Sequence, residues 1–232
     1  LRHIAALSRG TSRRAVIQRN LLPVLLQWFA EGADPDYGLL SFRRISDSLR
    51  DTPWYLRLLR DGTGAAQRLT QVLSGSRFVG ELLESIPESV AWLEGEQRLV
   101  PAGYRELSEE LAAIARRHGS VDAAAPALRQ VHRRELLRLA MGSLVGVIGL
   151  GELAAGLDAA HRSLLEQLTR FIRRELHRNA PLTGSAGDPA ETGADPDADG
   201  LEFLLVAMGR FGGGELGFSS DLDLICVFRP NG

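Results

Sequence analysis

The chain has 232 residues, 27 of them basic and 29 acidic, for a formal net charge of -2. That balance gives no electrostatic case for nucleic acid or an anionic membrane as a general partner, and 44% hydrophobic content suffices to bury a sizeable core. Every basic residue is arginine and the one cysteine is Cys226, so a phosphate-binding cation must be an arginine, no disulfide framework is possible, and a cytoplasmic location is expected.

The opening LRHIAAL carries neither an initiator methionine nor a signal-peptide layout, and the chain reads as a piece of something longer. Apolar residues recur at helical spacing over 12–30, with Pro23 as the expected bend, and Gly32 with Asp34-Pro35-Asp36 closes that element. A second helix is expected over 37–49, facing inward through Leu39, Phe42, Ile45 and Leu49. Thr52-Pro53 reads as an N-cap and first helical residue. Short helices are then expected at about 53–60, 64–73 and 76–86, with Pro87 opening another through Trp92 and Leu93. Over 102–118, Tyr104, Leu107, Leu111 and Ile114 share one face, and Gly119 ends the helix. Two longer helices are expected over 123–144 and 153–177.

Between them, the uncharged apolar run from 139 to 151 has 13 residues, too few for a membrane span, which needs roughly 20; it reads as buried helix and turn. Gly149-Leu150-Gly151-Glu152-Leu153-Ala154 imitates the G-x-G-x-x-A of a dinucleotide site. An arginine-rich amphipathic helix follows instead of a second strand, so a glycine-containing helix junction is the better reading. His3, His118, His132, His161 and His177 fall on separate helices or their ends without an H-E-x-x-H pair, and read as solvated or locally bonded. The paired arginines 13–14, 43–44, 133–134 and 173–174 read as polar helix faces.

Composition changes at Asn179: residues 179–200 hold proline, glycine, alanine and five carboxylates without apolar periodicity, the pattern of a solvated linker or loop. From Leu201 the features coincide in an informative order. An apolar run over 201–208 suits a strand buried on both faces. Gly209, Gly212, Gly213 and Gly214 then permit a tight turn with backbone N–H groups turned toward a phosphate. One short helical turn is expected over 215–218, and a second buried strand over 219–228 includes Asp221, Asp223 and a buried Cys226. Alternation along a strand puts Asp221 and Asp223 on one face, where a shared cation such as Mg²⁺ would relieve their repulsion.

The order strand, glycine turn, Asp-x-Asp strand resembles the DNA polymerase β-like nucleotidyltransferase superfamily. More narrowly, GRFGGGELGFSSDLDL from Gly209 to Leu224 resembles the signature of the glutamine synthetase adenylyltransferase/adenylyl-removing family. The upstream segments around 12–61, 76–93 and 133–140 are similar to the helical segments preceding that family's catalytic core. The resemblance implies a mainly α-helical bundle over 1–178, the linker over 179–200, and over 201–232 the start of an α/β nucleotidyltransferase domain. It implies a cytoplasmic bacterial enzyme with two related halves. One half moves AMP from ATP to a tyrosine of glutamine synthetase and the other removes it by phosphorolysis, under a PII signalling protein and glutamine.

Carried over by position, Asp221 and Asp223 match the metal-binding and catalytic aspartates, while Gly212, Gly213, Gly214 and Ser220 match the phosphate-side loop. Arg210 stands where many members have lysine, and Glu215 matches a motif glutamate whose role the residues alone do not give. A third carboxylate, on a later strand in the superfamily, is expected beyond Gly232, so this piece is expected to bind Mg·ATP weakly and not to turn over. Residues 12–61 resemble the region joining the two halves, which favours the adenylylating half; Phe218-Ser219-Ser220 is at least as close to the other, and both assignments stay open. The alternative from another class is a helical module that docks glutamine synthetase or the PII protein without catalysis.

Overall fold

The computed structural model describes residues 4, 7, 13–50, 52–61, 63–179 and 201–230; of the expected linker over 179–200, all but Asn179 lies outside the described residues. The chain divides into two units, Leu1–Pro101 with Arg133–Leu153, and Ala102–His132 with Ala154–Gly232.

In the first unit, helix α1 (Arg13–Ala30) carries Pro23 within it. Helix α2 (Pro35–Ser48) starts two residues before the expected Tyr37, inside the turn expected to close α1. The Asp34 carboxylate accepts from Tyr37 N–H at 3.2 Å, and Pro35 occupies the first turn, where its missing N–H removes no helical bond. Helices α3 (Pro53–Asp61), α4 (Thr63–Gly75) and α5 (Arg77–Ser85) follow, the last capped by Ser76 Oγ accepting from Val79 N–H at 3.4 Å. Pro87 opens a 3₁₀ helix, Pro87–Glu94, rather than an α-helix; Gly95 separates it from a second one, Glu96–Leu99.

The core of this unit forms where the apolar stripes meet. Phe29 and Phe42 pack edge to face with ring centroids 6.0 Å apart, a geometry that adds to their area burial. Leu58, Leu59, Leu69, Leu73, Val90, Leu93 and Leu99 are also buried in this unit, each contributing about 1.5–3 kcal/mol of transfer free energy. Tyr55 is fully buried, and its hydroxyl is satisfied by Ser46 Oγ at 2.7 Å.

Helix α6 spans Tyr104–Arg116, α7 Val121–Leu144 and α8 Leu150–Asn179. The G-x-G-x-x-A imitation is indeed a helix junction. Gly146 takes φ 77°, Val147 N–H donates to Gly142 O at 2.8 Å, and Gly149 N–H donates to the Glu152 carboxylate at 2.8 Å. Gly149's N–H is therefore taken up by Glu152 in the first turn of α8 rather than facing a pyrophosphate.

In the second unit, Leu107 and Leu111 of α6, Leu128 and Val131 of α7, and Ala160 and Phe171 of α8 form one cluster. Glu175 of α8 accepts from Val121 N–H at 2.8 Å, placing a carboxylate at the positive start of α7. Strands β1 (Leu201–Ala207) and β2 (Leu224–Pro230) pair antiparallel, from Leu201 opposite Pro230 to Ala207 opposite Leu224.

The expectation of two buried strands is corrected: Leu204 is 61% and Phe228 68% exposed, and Cys226 is exposed. Among the described residues only these two strands pair, so the apolar runs are not covered on both faces. No described helix is long and apolar enough to cross a membrane.

Candidate functional site

The loop joining the strands differs from its expected layout in two places. A single helical turn forms at Gly209–Gly212, not over 215–218. Strand β2 begins at Leu224, so Asp221 and Asp223 precede it instead of lying within it. The reason is local hydrogen bonding. Gly212 N–H donates to Met208 O at 2.9 Å and Gly213 N–H to Gly209 O at 3.1 Å, closing the helical turn as soon as β1 ends. On the other side, Met208 N–H donates to Asp223 O at 2.9 Å, prolonging the backbone ladder just past the strand.

Each glycine of the turn has its own cause. Gly209 and Gly214 take φ 54° and 69°, the left-handed region that favours residues without Cβ. A Cβ on Gly212 would stand 2.5 Å from Ala207 O. The N–H groups of Gly212, Gly213, Gly214 and Glu215 all donate to carbonyls within the turn or at its start, at 2.7–3.2 Å. They are thus engaged internally, and the glycines serve to make the turn. Ser220 is likewise used locally: its Oγ accepts from Gly217 N–H at 2.8 Å.

Arg210, Asp221 and Asp223 are exposed, whereas Leu222 and Leu224 are half-buried. The Asp223 carboxylate lies against Gly209, with Oδ2 2.7 Å from the position a Cβ there would take. One of the two aspartates is therefore brought to the mouth of the glycine turn. A pair of hard oxygen donors suits Mg²⁺, which commonly takes one or two carboxylates and fills its shell with water and substrate phosphate. Among the described residues no group of three or more His, Cys, Asp or Glu side chains forms a metal shell.

Two residues not expected at this site from the sequence also lie beside it. Phe211 is the buried residue of the turn, at 7% exposure, and its ring centroid lies 6.4 Å from that of His161 on α8. His161 is itself buried and meets His132 at 4.7 Å. Its local bond was foreseen, since Nδ1 donates to Leu157 O at 2.7 Å; its burial was not. The available signal was an aromatic residue inside a glycine run, which needs a surface to rest on. On the β1 side, an open cavity of about 710 Å³ is lined by Arg162, Thr169 and Arg170 of α8 and by Phe203, Leu205 and Gly212.

Within this chain a helical body leads into strand, glycine turn and adjacent aspartates, and comparisons with known proteins place it in a family. Residues 66–232 match the family model of glutamate-ammonia ligase adenylyltransferase. The chain belongs to that family. It is 58% identical over 230 residues to a bifunctional glutamine synthetase adenylyltransferase/adenylyl-removing enzyme of Leifsonia xyli, covering 99% of this chain and 21% of the relative. Relatives with the same description from Streptomyces avermitilis and Bifidobacterium longum are 44% and 34% identical, covering 99% of this chain and 23% and 20% of their own lengths. The chain thus spans about a fifth of the length of the curated relatives it matches.

Proposed function

We propose that this segment supplies the nucleotide-handling turn of an adenylyl-transfer centre acting on glutamine synthetase. In one direction a tyrosine oxygen of glutamine synthetase attacks the α-phosphorus of ATP, forming the tyrosyl–AMP phosphodiester as pyrophosphate leaves. In the other, inorganic phosphate attacks the phosphorus of that phosphodiester, forming ADP as the P–O bond to tyrosine breaks and the tyrosine oxygen takes back a proton. A PII signalling protein is the regulatory partner of the whole protein in this reading.

The observation that carries the proposal is the placement of the Asp223 carboxylate against Gly209, which sets an acidic group at the entrance of the turn. Mg²⁺ held by Asp221 and Asp223 would neutralise charge on the phosphates when bound. Arg210, exposed in the same turn, offers a planar fork for phosphate oxygens. With the N–H groups of residues 212–215 bonded internally, the phosphate contacts fall to that side chain.

The test is an exchange. The chain replaces its matched segment in the Leifsonia xyli relative, and AMP transfer to glutamine synthetase and phosphate-dependent AMP removal are both measured. Asp221→Asn and Asp223→Asn are each expected to abolish one of the two activities by about a hundredfold or more while sparing the other, which also tells which half the segment serves. Both activities unchanged in both variants would refute the reading.

A further inference from the structure

Within the glycine turn Gly209–Gly212, Phe211 is the buried side chain. Arg210, Gly212, Gly213 and Gly214 are exposed, while Phe211 is buried against the His161 ring. His161 is held in turn: Nδ1 donates to Leu157 O at 2.7 Å, which fixes the imidazole relative to α8, and His132 of α7 packs at 79° to it with centroids 4.7 Å apart. Because the N–H groups of residues 212–215 bond within the turn, the turn moves as one piece. Two close contacts on it are the approach of Gly212 to Ala207 O and the packing of Phe211 with His161. Gly209 belongs to the same piece and abuts Asp223, so a displacement at Phe211 reaches the carboxylate.

We infer that His161 is a positioning residue for this site: acting through Phe211, it holds the glycine turn at the orientation that sets Gly209 against Asp223 and presents Arg210. The inference rests on the phosphate-handling reading proposed above for its functional half alone. Small misplacements of binding groups lose much of their effect, since the contacts depend on geometry within about an ångström.

Hydrogen exchange on the 232-residue chain tests the coupling without any ligand. His161→Ala and Phe211→Ala should each raise exchange of the 212–215 amides about tenfold. The double variant should exceed neither single by more than about twofold, because both remove the same contact. His161→Phe, which keeps a ring under Phe211, should stay within about twofold of the parent, and the α6 amides should be unchanged. If His161→Ala loosens α6 as well, Phe211→Ala decides, since it leaves the three-helix cluster intact; unchanged 212–215 exchange in that variant overturns the inference.

Mg·ATP titration of the same proteins tests the consequence. Binding weakened about tenfold in both single variants and restored in His161→Phe supports the positioning role, whereas undiminished binding beside a loosened turn overturns it. Exchange coupling in the chain beside AMP transfer and removal that are both unchanged by Asp221→Asn and Asp223→Asn in the exchanged relative leaves the coupling standing and overturns the phosphate-handling reading instead.

Discussion

Asp223 occupies the space that any side chain at position 209 would need: its Oδ2 is 2.7 Å, and its Cγ 3.6 Å, from where a Gly209 Cβ would stand. The glycine is thus required twice, by this contact and by its φ of 54°. An alanine there must either push the carboxylate away or leave the left-handed region, a strain of about 1–2 kcal/mol.

Gly209→Ala is therefore expected to lower AMP transfer or removal in the exchanged relative by about a hundredfold while costing only about 1–2 kcal/mol in thermal unfolding. Gly213→Ala is the control. Gly213 sits at φ -85°, and its nearest neighbour would lie 3.5 Å from the new Cβ, so activity should stay within about threefold. Equal losses in the two variants would show that the turn merely needs glycine, not the Asp223 contact.

A pH-dependent link holds the first unit. Arg77 Nε and Nη2 both donate to Asp34 Oδ2, at 2.9 and 2.7 Å, and the guanidinium lies 5.2 Å from the Tyr37 ring centroid. The hydrogen bonds from Arg77, and then that from Tyr37 N–H, hold the Asp34 carboxyl below the ordinary aspartate range. A carboxyl depressed in the folded state adds stability above its unfolded value, about pH 4, and loses it as pH falls through the folded value. Asp34→Asn keeps an N-cap and removes the ion pair. The stability difference between parent and variant, from urea unfolding, should be flat from about pH 7 to 5 and shrink from about pH 4 downward. Growth of that difference on acidification would contradict the assignment, and salt should weaken the exposed pair at every pH above this window.

What could be read from residues was mainly local. Thr52-Pro53 and Ser76 announce helix starts by their own chemistry, and Leu201 and Ile225 lie in runs recognisable as strands. Failures arose where a partner decides. Asp223 looked like a strand residue, but β2 begins one residue later and only the backbone bond from Met208 N–H reaches Asp223 O. Gly212–Gly214 looked like phosphate-facing amides because sequence cannot say whether an N–H is already bonded; here it is. Periodicity marked α7 and α8 as long helices, yet not that each contributes to both units, because a stripe shows which face is buried and not against what. His161 shows the same limit, since nothing local foretells a ring arriving from residue 211.

Close helix packing gives a test in which two effects oppose. Gly38 lies inside α2, where alanine would favour the helix by about 1 kcal/mol. Its Cβ would meet the Phe29 ring at 2.9 Å and Ser74 Cα at 3.0 Å; the ring belongs to the buried Phe29–Phe42 pair, and the second contact is backbone. Neither can yield without disturbing the core, so the crowding should outweigh propensity, and Gly38→Ala is expected to destabilise by about 1–3 kcal/mol net. Chemical unfolding showing the variant as stable as the parent would mean that α2 moves away more easily than this packing implies.

The most buried charge of the first unit makes the last prediction. Glu135 is fully buried on α7, and Oε2 lies 3.4 Å from Arg138 Nε. The Arg138 guanidinium is in turn 4.8 Å from the Trp92 ring centroid, close enough for a cation–π contact. Such a pair contributes little net stability when intact, because desolvation of both charges offsets their attraction, but losing one partner strands the other. Glu135→Ala should therefore cost about 3 kcal/mol or more, combining the stranded Arg138 charge with a cavity. Glu135→Gln, which keeps the shape and a hydrogen-bonding end, should cost less, about 1–2 kcal/mol. Replacing both residues by methionine should cost well below the sum of the two single replacements. Urea unfolding followed by tryptophan fluorescence measures all of these. Strictly additive costs would show that Glu135 and Arg138 are held by other neighbours and do not act as a pair.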